Sequence, residues 1–281
     1  ETTRWPTYDI ARHPEKWERF KAFTRNQIVE LVRDYGPVDM MWLDGAWLFP
    51  CTGYDLEIGK AIDEARKYQP NLISVDRGAN DEYMNIRTPE QCVPKEPLPF
   101  PWETCMTMAW GWGYHYDDFY KSPRQLIHLL VDVVAKGGNL VLNVGPMPDG
   151  RLPRPAVERM EAMGRWLAKN GAAIYGTRKV KPYSRGKWRF TRGKGGQVYA
   201  IRLWDEDEPR LFVSQGFPVA PEQGEVVKIT HLVTGRDIPF VRKTGAYSSG
   251  GVTIMLPADF ARDDIADVFQ VQYNPNKENN K

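Results

Sequence analysis

The apolar positions of this 281-residue chain change period part-way along, and the change separates two kinds of structure. From Pro14 to Tyr35 the residues Trp17, Phe20, Phe23, Ile28, Val29 and Val32 recur near helical spacing, and Tyr35-Gly36-Pro37 ends the run. A short apolar strand, Val38 to Leu43, follows directly and stops on Asp44-Gly45. Tyr54 to Tyr68 reads as a second helix closed by Pro70, and Leu72 to Asp76 as a second buried strand. Further strands are expected at Thr104 to Met108 and Asn139 to Val144, with helices at Pro123 to Lys136 and Pro155 to Asn170. This alternation predicts a parallel α/β arrangement. The stretch from Arg77 to Pro101 has several prolines and no period, so it is expected as a long loop at the C-terminal end of the second strand.

Beyond Tyr175 the pattern becomes short alternating runs at Trp188 to Thr191, Val198 to Leu203, Arg210 to Val213, Glu225 to His231, Gly251 to Leu256 and Asp267 to Val271. Short strands separated by Gly, Pro and Asp turns predict an antiparallel β-sandwich. The expected division is a barrel-type α/β domain over residues 1–176 and a sandwich over 177–281, with a frayed polar tail from Asn274 to Lys281.

Composition narrows the function. The net charge of +2 arises from nearly balanced acids and bases, and the basic stretches Arg178 to Lys181 and Arg185 to Arg192 read as solvated strand faces. Nucleic acid is therefore not an expected partner. No apolar run reaches membrane-spanning length, and Glu1-Thr2-Thr3 opens no signal-peptide pattern. Cys51, Cys92 and Cys105 have no CxxC spacing, which supports neither a disulfide framework nor zinc, so chemistry without a metal or cofactor is the default. Ten Trp, many beside Gly, Pro or acidic residues, suit a sugar site, where pyranose faces pack on indole and hydroxyls need polar partners.

Among candidate residues, Asp44 stands first. A buried strand ending on a carboxylate is how a parallel barrel offers a catalytic group to its substrate face, although Asp-Gly is also ordinary turn chemistry. Gly137-Gly138 lacks the rest of a phosphate loop and reads as a helix terminator. His128 falls inside a helix and reads as structural, and Asn143 at a strand end as hydrogen-bond support for a pocket floor.

Trp42-Leu43-Asp44-Gly45, Asp76-Arg77, Thr88-Pro89-Glu90, Pro101-Trp102-Glu103-Thr104-Cys105, Lys136 to Pro146 with Asp149-Gly150, and Asn170 to Gly176 together resemble the α-L-fucosidases of glycoside hydrolase family 29. The resemblance implies a (β/α)8-like catalytic barrel followed by a β-sandwich, and metal-free hydrolysis of fucosylated glycans with retention of configuration. By position, Asp44 resembles the nucleophile, Trp42 the aromatic wall beside it, and Arg77 the arginine of the sugar subsite. Retention needs a second carboxyl group about 5 Å away as acid/base. Glu90 and Glu103 are the candidates. Glu90 is preferred, because the long loop lets it reach over the pocket, whereas Glu103 at a strand start is expected near the opposite face. Trp110, Trp112 and His115 either border the leaving-group subsite or pack on a neighbouring loop. The family's early barrel strands, with their paired-histidine motif, have no counterpart in this sequence, and His13 is no substitute. The expectation is therefore a partial barrel whose open edge is covered by a second copy or by a complementing N-terminal barrel fragment, with a truncated, non-catalytic glycan-binding protein as the alternative.

Overall fold

A computed structural model describes residues 10–45, 53–77, 82–208, 215–217, 224–242 and 251–274. The chain forms two compact units, residues 1–88 and 89–281. The strand expected at Arg210 to Val213 lies outside the described residues, as do Cys51 and most of the tail.

In the first unit, helix α1 (Pro14–Asp34) leads into strand β1 (Met40–Leu43), and helix α2 (Ile58–Arg66) into strand β2 (Ile73–Asp76). The strands pair in parallel from Met40↔Ile73 to Leu43↔Asp76. Ile28 and Val32 of α1 share a core with Met41, Ala61, Ile62, Ala65 and Leu72. Phe23, grouped with the helical stripe by spacing, is instead 58% exposed. At about 100° per residue it falls on the side away from Ile28 and Val32. Helix α2 begins at Ile58, four residues later than its apolar pattern. Asp55 accepts the Glu57 N–H at 2.7 Å, and Glu57 takes a left-handed conformation with φ of 56°, so local turn chemistry delays the helix.

The second unit opens with strand β3 (Glu103–Thr107), helix α3 (Pro123–Ala135), strand β4 (Asn139–Asn143) and helix α4 (Arg154–Asn170). Strands β3 and β4 are parallel, from Glu103↔Asn139 to Thr107↔Asn143. Ser122 and Gln125 form a reciprocal capping box at the start of α3. At its end, Gly137 with φ of 81° donates to Val134 and Gly138 to Val133, closing the helix with a Schellman pair, as the glycine pair predicts. Gly138 has a second role. A Cβ there would run into the indole of Trp102, which is 1% exposed. Gly138→Ala is expected to destabilise the protein by about 2 kcal/mol and lower Tm by roughly 5 °C. A calorimetric Tm unchanged from wild type would refute that packing.

Antiparallel strands follow: β5 (Arg178–Arg185), β6 (Trp188–Arg192), β7 (Val198–Leu203), β8 (Gln215–Phe217), β9 (Glu225–His231), β10 (Phe240–Arg242), β11 (Val252–Ile254) and β12 (Ala266–Asn274). One sheet has the order β5-β6-β7-β12-β9, the other β10-β11-β8. Strand β7 is buried along its whole length because its two faces serve different cores. Val198 and Ala200 join Val252 and Ile254 of the second sheet, whereas Tyr199, Ile201 and Leu203 pack with Leu126, Ile127 and Val131 of α3 and with Trp166 of α4. The change of pattern near residue 176 thus lies inside one compact unit. The basic stretch Arg185 to Arg192 is not wholly a solvated face: Arg189 pairs with Asp132 of α3 at 2.5 Å.

His128 is structural. Its Nε2 donates to the Ile265 carbonyl at 3.0 Å, and burial lowers its pKa below the ordinary 6.5. A histidine held neutral in the fold contributes stability that is complete above the unfolded pKa and is lost as pH falls below it. The unfolding midpoint is expected to drop between about pH 7 and pH 5, with a shallower drop in His128→Gln. Equal slopes for the two proteins would exclude this origin. Among the described residues no helix is long and apolar enough to cross a membrane.

Candidate active site

Asp44 and Arg77 are the first residues beyond paired strand ends. Leu43 of β1 is the register partner of Asp76 of β2, so the next residue of each strand emerges at the same edge. Arg77 Nη1 donates to Asp44 Oδ1 at 2.9 Å, and the Gly45 N–H donates to the same oxygen at 2.9 Å. The guanidinium carbon of Arg77 also lies 4.9 Å from the centre of the Trp42 ring, within cation–π range. Carboxylate, guanidinium and indole are therefore gathered at one strand edge. The Asp44 side chain is 60% exposed and that of Arg77 15%, so the pair adds little to stability, about 0–1 kcal/mol. Its effect is to aim the carboxylate while leaving one face open.

The second unit holds both candidate glutamates. Glu103 is the first residue of β3, opposite the first residue of β4, at the N-terminal edge of that pair. Glu90 belongs to a segment that rises beside β3: Cys105 N–H donates to Pro89 O at 3.1 Å, and Gln91 N–H to Cys105 O at 2.9 Å. Gln91, with φ of 52°, then turns the chain back, and Thr104 Oγ1 donates to Cys92 O at 2.7 Å on the return. Glu90 thus sits near the apex of a loop, and the Gln91 side-chain amide ties that apex to Thr107 Oγ1 at 3.1 Å. The long segment expected as a loop is in part a pairing segment. Gln91 was not singled out from sequence, because a left-handed non-glycine residue leaves no mark there.

Trp110, Trp112 and His115 share the loop that follows β3. Trp110 is 86% and Trp112 43% exposed. His115 folds back against Gly111, where an added Cβ would stand 3.1 Å from its Nε2. Two side chains fix the loop. Lys121 Nζ donates to Thr107 O at 2.6 Å at its base, where burial lowers the lysine pKa, and Asp118 Oδ1 accepts the N–H groups of Trp110 and Phe119 at 3.1 and 2.8 Å. Gly145, just past β4, lets the backbone of Gly113 and Tyr114 approach closely, since a Cβ would collide with both. Asn143 ends β4 with its Oδ1 buried and without a donor among the described residues. Among those residues no group of three or more His, Cys, Asp or Glu stands ready to hold a metal.

Enzymes with parallel α/β barrels carry their catalytic groups at the C-terminal ends of strands, the position that Asp44 and Arg77 occupy here. The chain belongs to the α-L-fucosidase family, whose sequence profile matches residues 2–172. It is 31% identical to the tissue α-L-fucosidase of Bos taurus over 249 residues, covering 84% of this chain and 50% of the relative. The solved α-L-fucosidase isoenzyme 1 of Paenibacillus thiaminolyticus superposes with a TM-score of 0.77 at 26% identity, over 92% of this chain and 63% of that one. A family 29 α-L-fucosidase of Bacteroides thetaiotaomicron, solved as a trapped covalent intermediate in a Glu-to-Gln mutant with 2-fluoro-fucosyl fluoride, gives 0.73 at 26% identity, over 91% and 61%. The chain spans about half the length of the curated relatives it matches.

Proposed function

We propose that this chain carries the catalytic carboxylates of a retaining exo-α-L-fucosidase that removes terminal fucose from oligosaccharides or glycoconjugates. The observation that carries the reading is the Asp44–Arg77 contact of 2.9 Å beside Trp42 at one strand edge. Asp44 attacks the anomeric carbon, and the C–O bond to the leaving group breaks as the acid/base gives its proton to that oxygen. The same residue, now ionised, takes a proton from water, which attacks the anomeric carbon and frees Asp44. The Bacteroides relative, trapped as a covalent intermediate in a Glu-to-Gln mutant, supports a covalent path and a glutamate as partner. Glu90 fills that role here, with Glu103 as a supporting carboxylate. Arg77 and Trp42 hold the sugar, and Trp110, Trp112 and His115 border the leaving group.

In this reading residues 1–176 are the C-terminal part of a (β/α)8-like barrel and 177–281 a β-sandwich. Completion comes from a second copy or an N-terminal barrel fragment. Strands β1 and β4 each have one strand neighbour among the described residues, and Met40 and Val141 are exposed at 37% and 41%, which supports a cover over those strands. The test is hydrolysis of an aryl α-L-fucoside, with proton NMR of the first-formed sugar and light scattering after size exclusion. Release of α-fucose before mutarotation is expected. β-Fucose first would overturn retention. Glycan binding without turnover, and without labelling by 2-fluoro-fucosyl fluoride, would replace the enzyme by a glycan-binding protein.

A further inference from the structure

Lys121 closes the loop that leaves β3 after Thr107, and its ammonium reaches back to the strand end. Lys121 Nζ donates to Thr107 O at 2.6 Å and to Ala109 O at 3.3 Å, and it lies 3.5 Å from Thr107 Oγ1. These acceptors are shielded from water, since Thr107, Met108 and Ala109 are 1%, 0% and 8% exposed. The lysine backbone is held as well. Its N–H donates to Met108 O at 2.9 Å, and its carbonyl accepts from Arg159 Nε of α4 at 2.6 Å. The charge is thus directed at backbone carbonyls of β3 and of the residues just past it, where a bond from an ionised donor is roughly twice as strong as a neutral one.

Thr107 is gripped from its other side by the loop of Glu90. Gln91 Nε2 donates to Thr107 Oγ1 at 3.1 Å, and Gln91 Oε1 accepts the Thr107 N–H at 3.4 Å, so one amide takes both the hydroxyl and the backbone of one residue. Glu90 immediately precedes Gln91 and bridges to Cys105 of the same strand. Ala109, whose carbonyl Lys121 also holds, immediately precedes Trp110. One ammonium therefore stands where the Glu90 loop and the loop of Trp110, Trp112 and His115 meet the end of β3. Without it, two buried carbonyls lose a charged donor at the point that Gln91 grips, and the sandwich is left untouched.

From these contacts we infer that Lys121 is a positioning residue for proton transfer: it fixes the end of β3, and through Thr107 and Gln91 it holds Glu90 in place relative to the loop that borders the leaving group. The inference rests on the reading of Glu90 as acid/base. Proton transfer to the leaving oxygen needs a heavy-atom approach of about 2.6–3.2 Å, and a misplacement of about 1 Å costs up to about 10²-fold.

Lys121→Met, which keeps an apolar stem but has no donor, tests this. On phenyl α-L-fucoside, whose leaving group needs a proton, kcat/KM is expected to fall by about tenfold or more, and on a dinitrophenyl fucoside, which needs none, to stay within about threefold. A lysine that served only the fold would lower both by the same factor. Lys121→Met/Gln91→Ala is expected to lose no more than the weaker single variant, because both act through Thr107; losses that multiply would overturn the shared path. Hydrogen exchange of the full chain, read by mass spectrometry, follows the loop without turnover. Residues 89–92 are expected to exchange at least about tenfold faster in Lys121→Met, with β7 unchanged. Unchanged exchange at 89–92, or equal acceleration in β7, would overturn the inference. Glu90→Gln serves as the reference: if it lacks the leaving-group dependence, the acid/base reading falls and this one with it, whereas that dependence in Glu90→Gln and none in Lys121→Met would overturn this inference alone.

Discussion

Asp44→Ala is expected to lower kcat/KM for an aryl α-L-fucoside by on the order of 10⁴-fold or more, while the fold keeps its stability to within about 1 kcal/mol. The two effects separate because of where Asp44 stands. It lies past the end of β1, 60% exposed, with Arg77 and the Gly45 N–H as partners, so its removal leaves the core untouched, and Arg77, 15% exposed, keeps its contact with the Trp42 ring. The proposed chemistry has no such tolerance, since in it no glycosyl-enzyme forms without the carboxylate. Arg77→Lys is the informative companion. It keeps a positive charge but loses the planar fork, which reaches Asp44 and overlies Trp42, and a loss of about 10²-fold is expected. Intact-mass analysis after 2-fluoro-fucosyl fluoride checks the assignment without depending on fast turnover: wild type gains one sugar, located on the peptide carrying Asp44, and the alanine variant gains none. Turnover within tenfold of wild type in Asp44→Ala would remove this residue from the mechanism. Retained glycan affinity in an unlabelled, inactive wild type would favour the binding protein.

Much of this arrangement is legible in sequence because it is carried by short-range signals. Glycine with positive φ after α3, the proline and serine opening that helix, and the apolar runs of β1, β2 and β4 each mark a boundary within a few residues. The meeting of Asp44 with Arg77 is legible only in part. Motif order names both residues, but their 2.9 Å contact depends on parallel register between strands 33 positions apart in the chain. What is hidden has a common cause. Strand β10, three residues long, and the pairing of Glu90 beside Cys105 owe their form to a neighbour distant in sequence, and no local period announces them. The same holds for the core under β7, where α3 and α4 cover one face. A pattern of short strands predicts a sheet, while the partner of each face emerges only from the packing.

Glu90→Gln is expected to cut kcat/KM for substrates with poor leaving groups by about 10²–10⁴-fold and to spare kcat/KM for a dinitrophenyl fucoside, whose leaving group departs without a proton, while kcat for that substrate falls because water loses its base. Added azide should restore part of the rate by attacking the glycosyl-enzyme in place of base-activated water. Glu103→Gln is expected to stay within about tenfold of wild type on both substrates. The distinction rests on register. Glu103 opens β3, and the four residues to Thr107 at roughly 3.3 Å each place it about 13 Å from the C-terminal edge of that strand. Parallel α/β enzymes work at the C-terminal edge. Glu90 pairs with Cys105, about two residues farther along, at the apex that Gln91 holds to Thr107. In the proposed mechanism Gln91 is a positioning residue: Gln91→Ala should lower kcat more than it raises KM, because the bound sugar keeps Asp44 and Arg77 while the proton donor loses its fixed place. Loss confined to Glu103→Gln, with azide rescue there and none in Glu90→Gln, would transfer the role. Strand β3 would then have to deliver its carboxylate from the N-terminal edge, and the loop of Glu90 would serve only to cover it.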